Sequence, residues 1–305
     1  MTTIHTAAPA TPAPATPAPA GADTGSATQH EPGTAPDHHD WEEAGDAWGH
    51  AAAEWACLFE PYAFDIILAM ADRLGFGEGC RIVDIACGSG LATRLATAGG
   101  ASVASIDASP ALIDIARDRC PAADVRLGSM FELPWPDQSF DAAMSINGIW
   151  GDCDAALDEA FRVLRPGGLL AISFWGRNGP LDLRGAFKAF ATLSPPSATE
   201  GMVRTNAIGK DGVAEAMCER AGFEVIEHTS RVSTMEWPDA ETAWRALRSS
   251  GPAVPSLRHS GEAIVKEAVV ASIEHCRDDR GVYRFRNDHR LVVARKPPLD
   301  APPAG

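Results

Sequence analysis

Residues 83–90, VDIACGSG, carry an apolar strand across an acid, Asp84, into a turn holding two glycines, Gly88 and Gly90, followed by the amphipathic run LATRLATAGG. A glycine-bearing strand-to-helix turn lets a ligand approach the backbone. Tight packing of the helix on its strand would require the same glycines, so the turn alone does not define a site. A second acid, Asp107, ends the next apolar run, SVASID, seventeen positions after Gly90. In doubly wound sheets an acid at that tip accepts hydrogen bonds from ribose hydroxyls. The turn lacks the Gly-Lys-Ser/Thr of a phosphate loop, and Thr93 stands where a dinucleotide fingerprint has its third glycine. The chemistry left is recognition of a nucleoside without a phosphate cradle.

The elements that must position these residues alternate in type. A helical pattern over 65–75 precedes a strand at 81–86, the glycine turn with its helix, and a strand at 102–107. Ser109-Pro110 then reads as an N-cap followed by proline in the first helical position. A strand near 124–128 and another at 139–146 lead to a stripe of Leu157, Ala160, Phe161 and Leu164, a helix ended by RPGG, and the wholly apolar strand 169–175. A helix closed by Gly222, a strand from Phe223, helical patterns around Trp244 and Leu247 and around Val265, Val269 and Ile273, and a strand at 289–296 complete the chain. Runs buried on both faces and this alternation predict an α/β, doubly wound sheet with helices on both sides.

Four motifs, VDIACGSG, the acid of SIDASP, LPWPDQSFD and RVLRPGG, in this order and spacing, resemble the Rossmann-like (class I) S-adenosylmethionine-dependent methyltransferases of the small-molecule type. The similarity is strongest over about 81–175, with weaker matches at AGF (221–223) and in the closing strand. It implies a mostly parallel seven-stranded sheet with an antiparallel last strand and a helical cap. It also implies the cofactor S-adenosyl-L-methionine and transfer of its methyl group to a small acceptor such as a secondary metabolite or quinone. Carried over by position, Asp84, Ala86, Gly88 and Gly90 would line the amino-acid part of the cofactor, Asp107 the ribose, Ala108 the adenine, and Asn147 the sulfonium and methyl. Two residues depart from the pattern. Ala86 replaces the first glycine of the motif, and Ser129 stands where the family has an acid on the adenine amino group. Ser129 can still hydrogen-bond, and Met130 and Phe131 can pack on the ring. The implied domain plan is a disordered Ala/Pro/Thr-rich tail (1–40), an N-terminal helical lid (41–78), the cofactor-binding core (79–176), a substrate cap with closing strands (177–297), and a short tail.

Composition narrows the partners. The formal charge of −15 and the stretch SINGIW, in place of the Asn/Asp-Pro-Pro-aromatic tetrad of base-methylating enzymes, argue against nucleic acid. No run approaches the apolar length of a membrane span. Seven cysteines, none spaced CxxC, suit reduced thiols in a cytoplasmic protein. No metal is expected; DHHD (37–40) sits at the end of the tail. In-line methyl transfer needs a base only if the acceptor must lose a proton, and the candidates are His228, His259, His275, His289 and Asp152. Trp48, Trp55 and Tyr62, spaced by seven, read either as a core stripe or as a lid over the cofactor mouth. Trp150, Trp175 and Trp237 follow strands, at the edge where such sheets bind ligands. Residues 41–62 and 177–262 are expected to form a movable cap. Two other readings stay open: an enzyme of the same fold that binds the cofactor for a non-methylating reaction, or a protein or nucleic-acid methyltransferase. The oligomeric state is not readable from the sequence.

Overall fold

The computed structural model describes residues 41–299, so the expected 1–40 tail with its DHHD stretch lies outside the described residues. Seven strands form one sheet: β1 Arg81–Ile85, β2 Ser102–Asp107, β3 Asp124–Leu127, β4 Phe140–Ile146, β5 Leu164–Trp175, β6 Glu224–Trp237 and β7 Tyr283–Arg295. Their order is β3-β2-β1-β4-β5-β7-β6, with only β7 antiparallel to its neighbours. The strand order reverses between β1 and β4, and ligands bind such sheets in the crevice beyond the carboxyl ends at that reversal. Asp84, Asp107 and Asn147 all come from that edge.

Local chemistry explains much of this. The helix Phe64–Leu74 stops because Gly75 takes φ 66, a left-handed end that glycine tolerates. The helix Pro110–Arg119 starts where the Ser109 side chain accepts the Leu112 N–H at 3.4 Å, with proline in its first turn. Helices cover both sheet faces. One side buries Ile66, Met70, Trp244 and Val265; the other buries Leu157, Ala160, Met217 and Phe223.

Three expectations change. RPGG does not end a helix before a separate strand: the helix Asp154–Val163 stops first, and β5 begins at Leu164, paired with Phe140 through a register shift. Gly167, at φ 80, carries the chain through this irregular start, and its N–H donates to the Lys296 carbonyl at 2.8 Å. The last strand begins at Tyr283 rather than 289, because the alternating YRFRND stretch pairs with Val232–Trp237, the second half of β6. The stripe from Trp48 to Tyr62 is not one helix. It runs as a helix Trp41–Gly49, a break at 50–51, a helical turn Ala52–Glu54 passing into a π-helical turn Trp55–Phe59, and a 3-10 turn Glu60–Ala63 around Pro61.

Candidate functional site

A cavity of 340 Å³ opens at the carboxyl edge of the sheet, within the ~300–1,000 Å³ range of small-molecule sites. The strand tips and the glycine turn supply Asp84, Ala86, Gly88, Asp107 and Ala108; the segments after β3 and β4 supply Met130, Phe131, Asn147 and Asp152. Trp48, Trp55, Trp150 and Trp175 form walls. These sequence-predicted residues are therefore brought together.

Asp84 is 1% exposed. Its Oδ2 accepts the Thr93 hydroxyl at 2.7 Å, while its Oδ1 is buried without a partner. Burial, with the Asp107 and Glu60 carboxylates adding to it, pushes its pKa up to about 7 against the opposing Thr93 hydrogen bonds. Thr93, in the place of the fingerprint's third glycine, thus holds the first acid. Asp107 accepts the Gly88 N–H and the Ser109 N–H, each at 2.8 Å. Burial raises its pKa and these backbone donors pull it back. Each of its oxygens keeps a lone pair for a further donor.

Gly88 and Gly90 do different work. A side-chain carbon on Gly88 (φ 58) would come within 2.7 Å of the Trp55 ring, so this glycine lets the aromatic wall lie on the turn. Gly90 (φ 84) does not line the cavity. A carbon there would press on Ala116 at 3.1 Å and Cys120 at 3.3 Å, so it serves helix packing. Ala86 sits at φ 58, the left-handed geometry for which the motif's usual glycine is suited.

Several candidates fall elsewhere. Ser129 does not line the cavity; its hydroxyl accepts the Phe131 N–H at 3.1 Å and stabilises the local turn. His228 pairs with Glu215 on the helix packed against β6, and His259 and His275 are exposed; none reaches the cavity. His289 is fully buried between the Ser173 hydroxyl (3.1 Å) and the Ser233 hydroxyl (3.0 Å), and burial lowers its pKa to about 3. An imidazole held neutral in that way is a support for its neighbours Trp175 and Tyr62, not a base. Trp237 is core: its Nε1–H donates to the Leu58 carbonyl at 2.8 Å and its ring packs on Phe59 and Phe285. Among the candidate bases only Asp152 lines the cavity.

Glu60 was not anticipated. It is 4% exposed, lines the cavity, and accepts the Ser89 hydroxyl at 2.5 Å and Arg119 at 2.7 Å. Burial raises its pKa, opposed by Ser89 and Arg119. A signal was present, since it is a lone acid in the apolar run WACLFEPYAF, and a buried charge must be paired. Tyr62, read from the sequence with Trp48 and Trp55 as core stripe or lid, lines the cavity: its hydroxyl accepts the Asn147 Nδ2–H at 2.7 Å, and its ring lies 4.8 Å from Trp175.

Comparison with known proteins agrees with this architecture. A methyltransferase domain family model matches residues 83–172. The chain is 31% identical to methyltransferase GfsG of Streptomyces halstedii over 65% of this chain and 70% of that one. It is 28% identical to a malonyl-[acyl-carrier protein] O-methyltransferase of Serratia marcescens over 58% of this chain and 67% of that one. A phosphoethanolamine N-methyltransferase of Haemonchus contortus, solved with S-adenosylhomocysteine, superposes with a TM-score of 0.52 at 17% identity, covering 86% of this chain and 60% of that one. The chain belongs to the class I, Rossmann-like S-adenosylmethionine-dependent methyltransferases.

Proposed function

We propose that this protein moves a methyl group from S-adenosyl-L-methionine to a small-molecule acceptor. The observation that carries the reading is a pair of buried, unpartnered atoms of opposite polarity beside the glycine turn: Asp84 Oδ1, an acceptor, and Trp55 Nε1–H, a donor. They match the ammonium and carboxylate of a methionine moiety. Asp107 would take the ribose hydroxyls, and Ala108, Met130 and Phe131 would flank the adenine. The cavity is lined by Glu60, Asp84, Asp107 and Asp152 and by no Lys, Arg or His among the described residues. Such a site favours a cationic nucleoside over a pyrophosphate.

When bound, the cofactor supplies an electrophilic methyl group, whose bond to sulfur breaks as its bond to the acceptor heteroatom forms, the electron pair staying on sulfur. The chain's part is positioning: aligned reactants gain ~7–11 kcal/mol in well-oriented intramolecular systems. The Trp48, Trp55 and Trp150 walls exclude water, with centroids of neighbouring rings 6.2 Å apart. Asp152, which lines the cavity with its side chain 31% exposed and Arg204 3.9 Å away, would receive a proton the acceptor releases. The formal charge of −15 supports a small acceptor over nucleic acid.

Calorimetric titration with S-adenosylmethionine, S-adenosylhomocysteine and NAD tests this reading. The first two should bind and NAD should not, and Asp107→Ala should weaken cofactor binding by about 1–3 kcal/mol. Equal binding of NAD, or an unchanged affinity in the variant, would remove it.

A further inference from the structure

We infer that Asn147 Oδ1 is the docking point of the acceptor, and that the acceptor is a flat, uncharged molecule presenting an O–H or N–H donor rather than a carboxylate. This rests on the methyl-transfer reading above.

Asn147 is held on every side but one. Its backbone takes φ 51, unusual for a residue with a side chain. Its N–H donates to the Ser173 carbonyl at 2.9 Å, its carbonyl accepts the Trp150 Nε1–H at 2.7 Å, and its Nδ2–H donates to Tyr62 at 2.7 Å. Tyr62 is in turn wedged against Trp175 and His289, so the amide is braced against turning. Only Oδ1 has no partner, and it is buried in a residue that lines the cavity. Strained, over-determined residues of this kind cluster where ligands are gripped. A buried carbonyl oxygen left unpaired is satisfied by a ligand donor and rejects a ligand that lacks one.

The surroundings set the rest of the class. Trp150, which bonds the Asn147 carbonyl, Trp175, which packs on Tyr62, and Phe187 offer flat apolar faces in the same cavity. An acceptor carboxylate would enter a cavity whose lining holds four carboxyl groups and, among the described residues, no Lys, Arg or His to pair with it, an unfavourable arrangement. A neutral hydroxyl or amine on an aromatic frame meets neither penalty.

The test uses binding, not turnover. Near neutral pH, 2-naphthol, 2-methoxynaphthalene and 2-naphthoate are titrated into the full protein with S-adenosylhomocysteine present, read by quenching of the cavity tryptophans. The three probes share a frame and differ in donor and charge. We expect 2-naphthol to bind at least about tenfold tighter than either other probe, equivalent to ~1.4 kcal/mol. In Asn147→Gly, which keeps a residue suited to the left-handed backbone, the preference for naphthol over the methoxy compound should fall to within about twofold, while naphthoate stays weak. A methoxy compound that matches naphthol in the native protein would mean the amide presents its N–H side, and overturns the inference whether or not the variant folds. So would naphthoate binding tightest, or a naphthol preference that survives in the variant. Failure of the cofactor assignment on which this rests would show separately, as no heat on titrating S-adenosylmethionine.

Discussion

Replacing Asp84 by Asn should stabilise the ligand-free protein at alkaline pH and cripple cofactor binding. Asp84 is 1% exposed, and burial, reinforced by Asp107 and Glu60, raises its pKa from 3.8 to about 7. A difference of roughly three units corresponds to ~4 kcal/mol between the protonation states. Because the folded-state pKa lies above the unfolded one, the group's contribution is fully present below pH 3.8 and is lost as pH rises through about 7. The Asn variant should therefore exceed the native protein by about 2–4 kcal/mol near pH 8 and by much less near pH 5, the upper limit being reduced by the unpaired amide N–H. His289 has the opposite sign: its pKa falls from 6.5 to about 3, so its contribution is lost as pH drops through that window. The two slopes oppose each other in the native curve, and the variant-minus-native difference isolates Asp84. Urea unfolding of both proteins across this range gives that difference, and calorimetry near pH 8 should show S-adenosylmethionine affinity at least about tenfold weaker in the variant. A difference that does not change with pH, or a variant that binds cofactor as tightly as the native protein, would refute the reasoning.

Further outcomes follow from the same contacts. Gly90→Ala should lower stability by about 2–3 kcal/mol through strain and overpacking against Ala116 and Cys120. By contrast, Gly88→Ala, which displaces Trp55, should show its main loss in cofactor affinity by calorimetry. Alanine at His228, His259 or His275 should leave methyl transfer to any accepted substrate within about twofold, since none lines the cavity. Trp237→Ala should lose about 3–5 kcal/mol in denaturant unfolding, as an aromatic core deletion does. Arg119→Gln should leave Glu60 without its cation, destabilising by ~3–5 kcal/mol and speeding hydrogen exchange over Trp55–Phe59.

The parts of this protein that were legible in its sequence are those whose causes are local. The glycine turn after Asp84, the Ser109-Pro110 helix start and the acid at the tip of β2 are each set by a few contiguous residues, and strand-helix alternation then forces their tips to one edge of the sheet. What the sequence left open depended on partners distant along the chain. Trp175 and Trp237 both end strands. Yet β5 lies inside the sheet, with its tip at the cavity, whereas β6 forms the outer edge and turns Trp237 onto Leu58 and Phe59. Gly88 and Gly90 are two residues apart, but one meets Trp55 and the other the Pro110–Arg119 helix. Four histidines looked alike as bases. Placement left three exposed, one of them paired with Glu215 away from the cavity, and sealed His289 between two serines where burial keeps it neutral. Glu60 shows the division most clearly: a lone acid in an apolar run announces that it is buried. Its pairing with Ser89 and Arg119, and hence its place against the glycine turn, exists only once the chain has packed, because desolvation and charge act through space and not along the sequence.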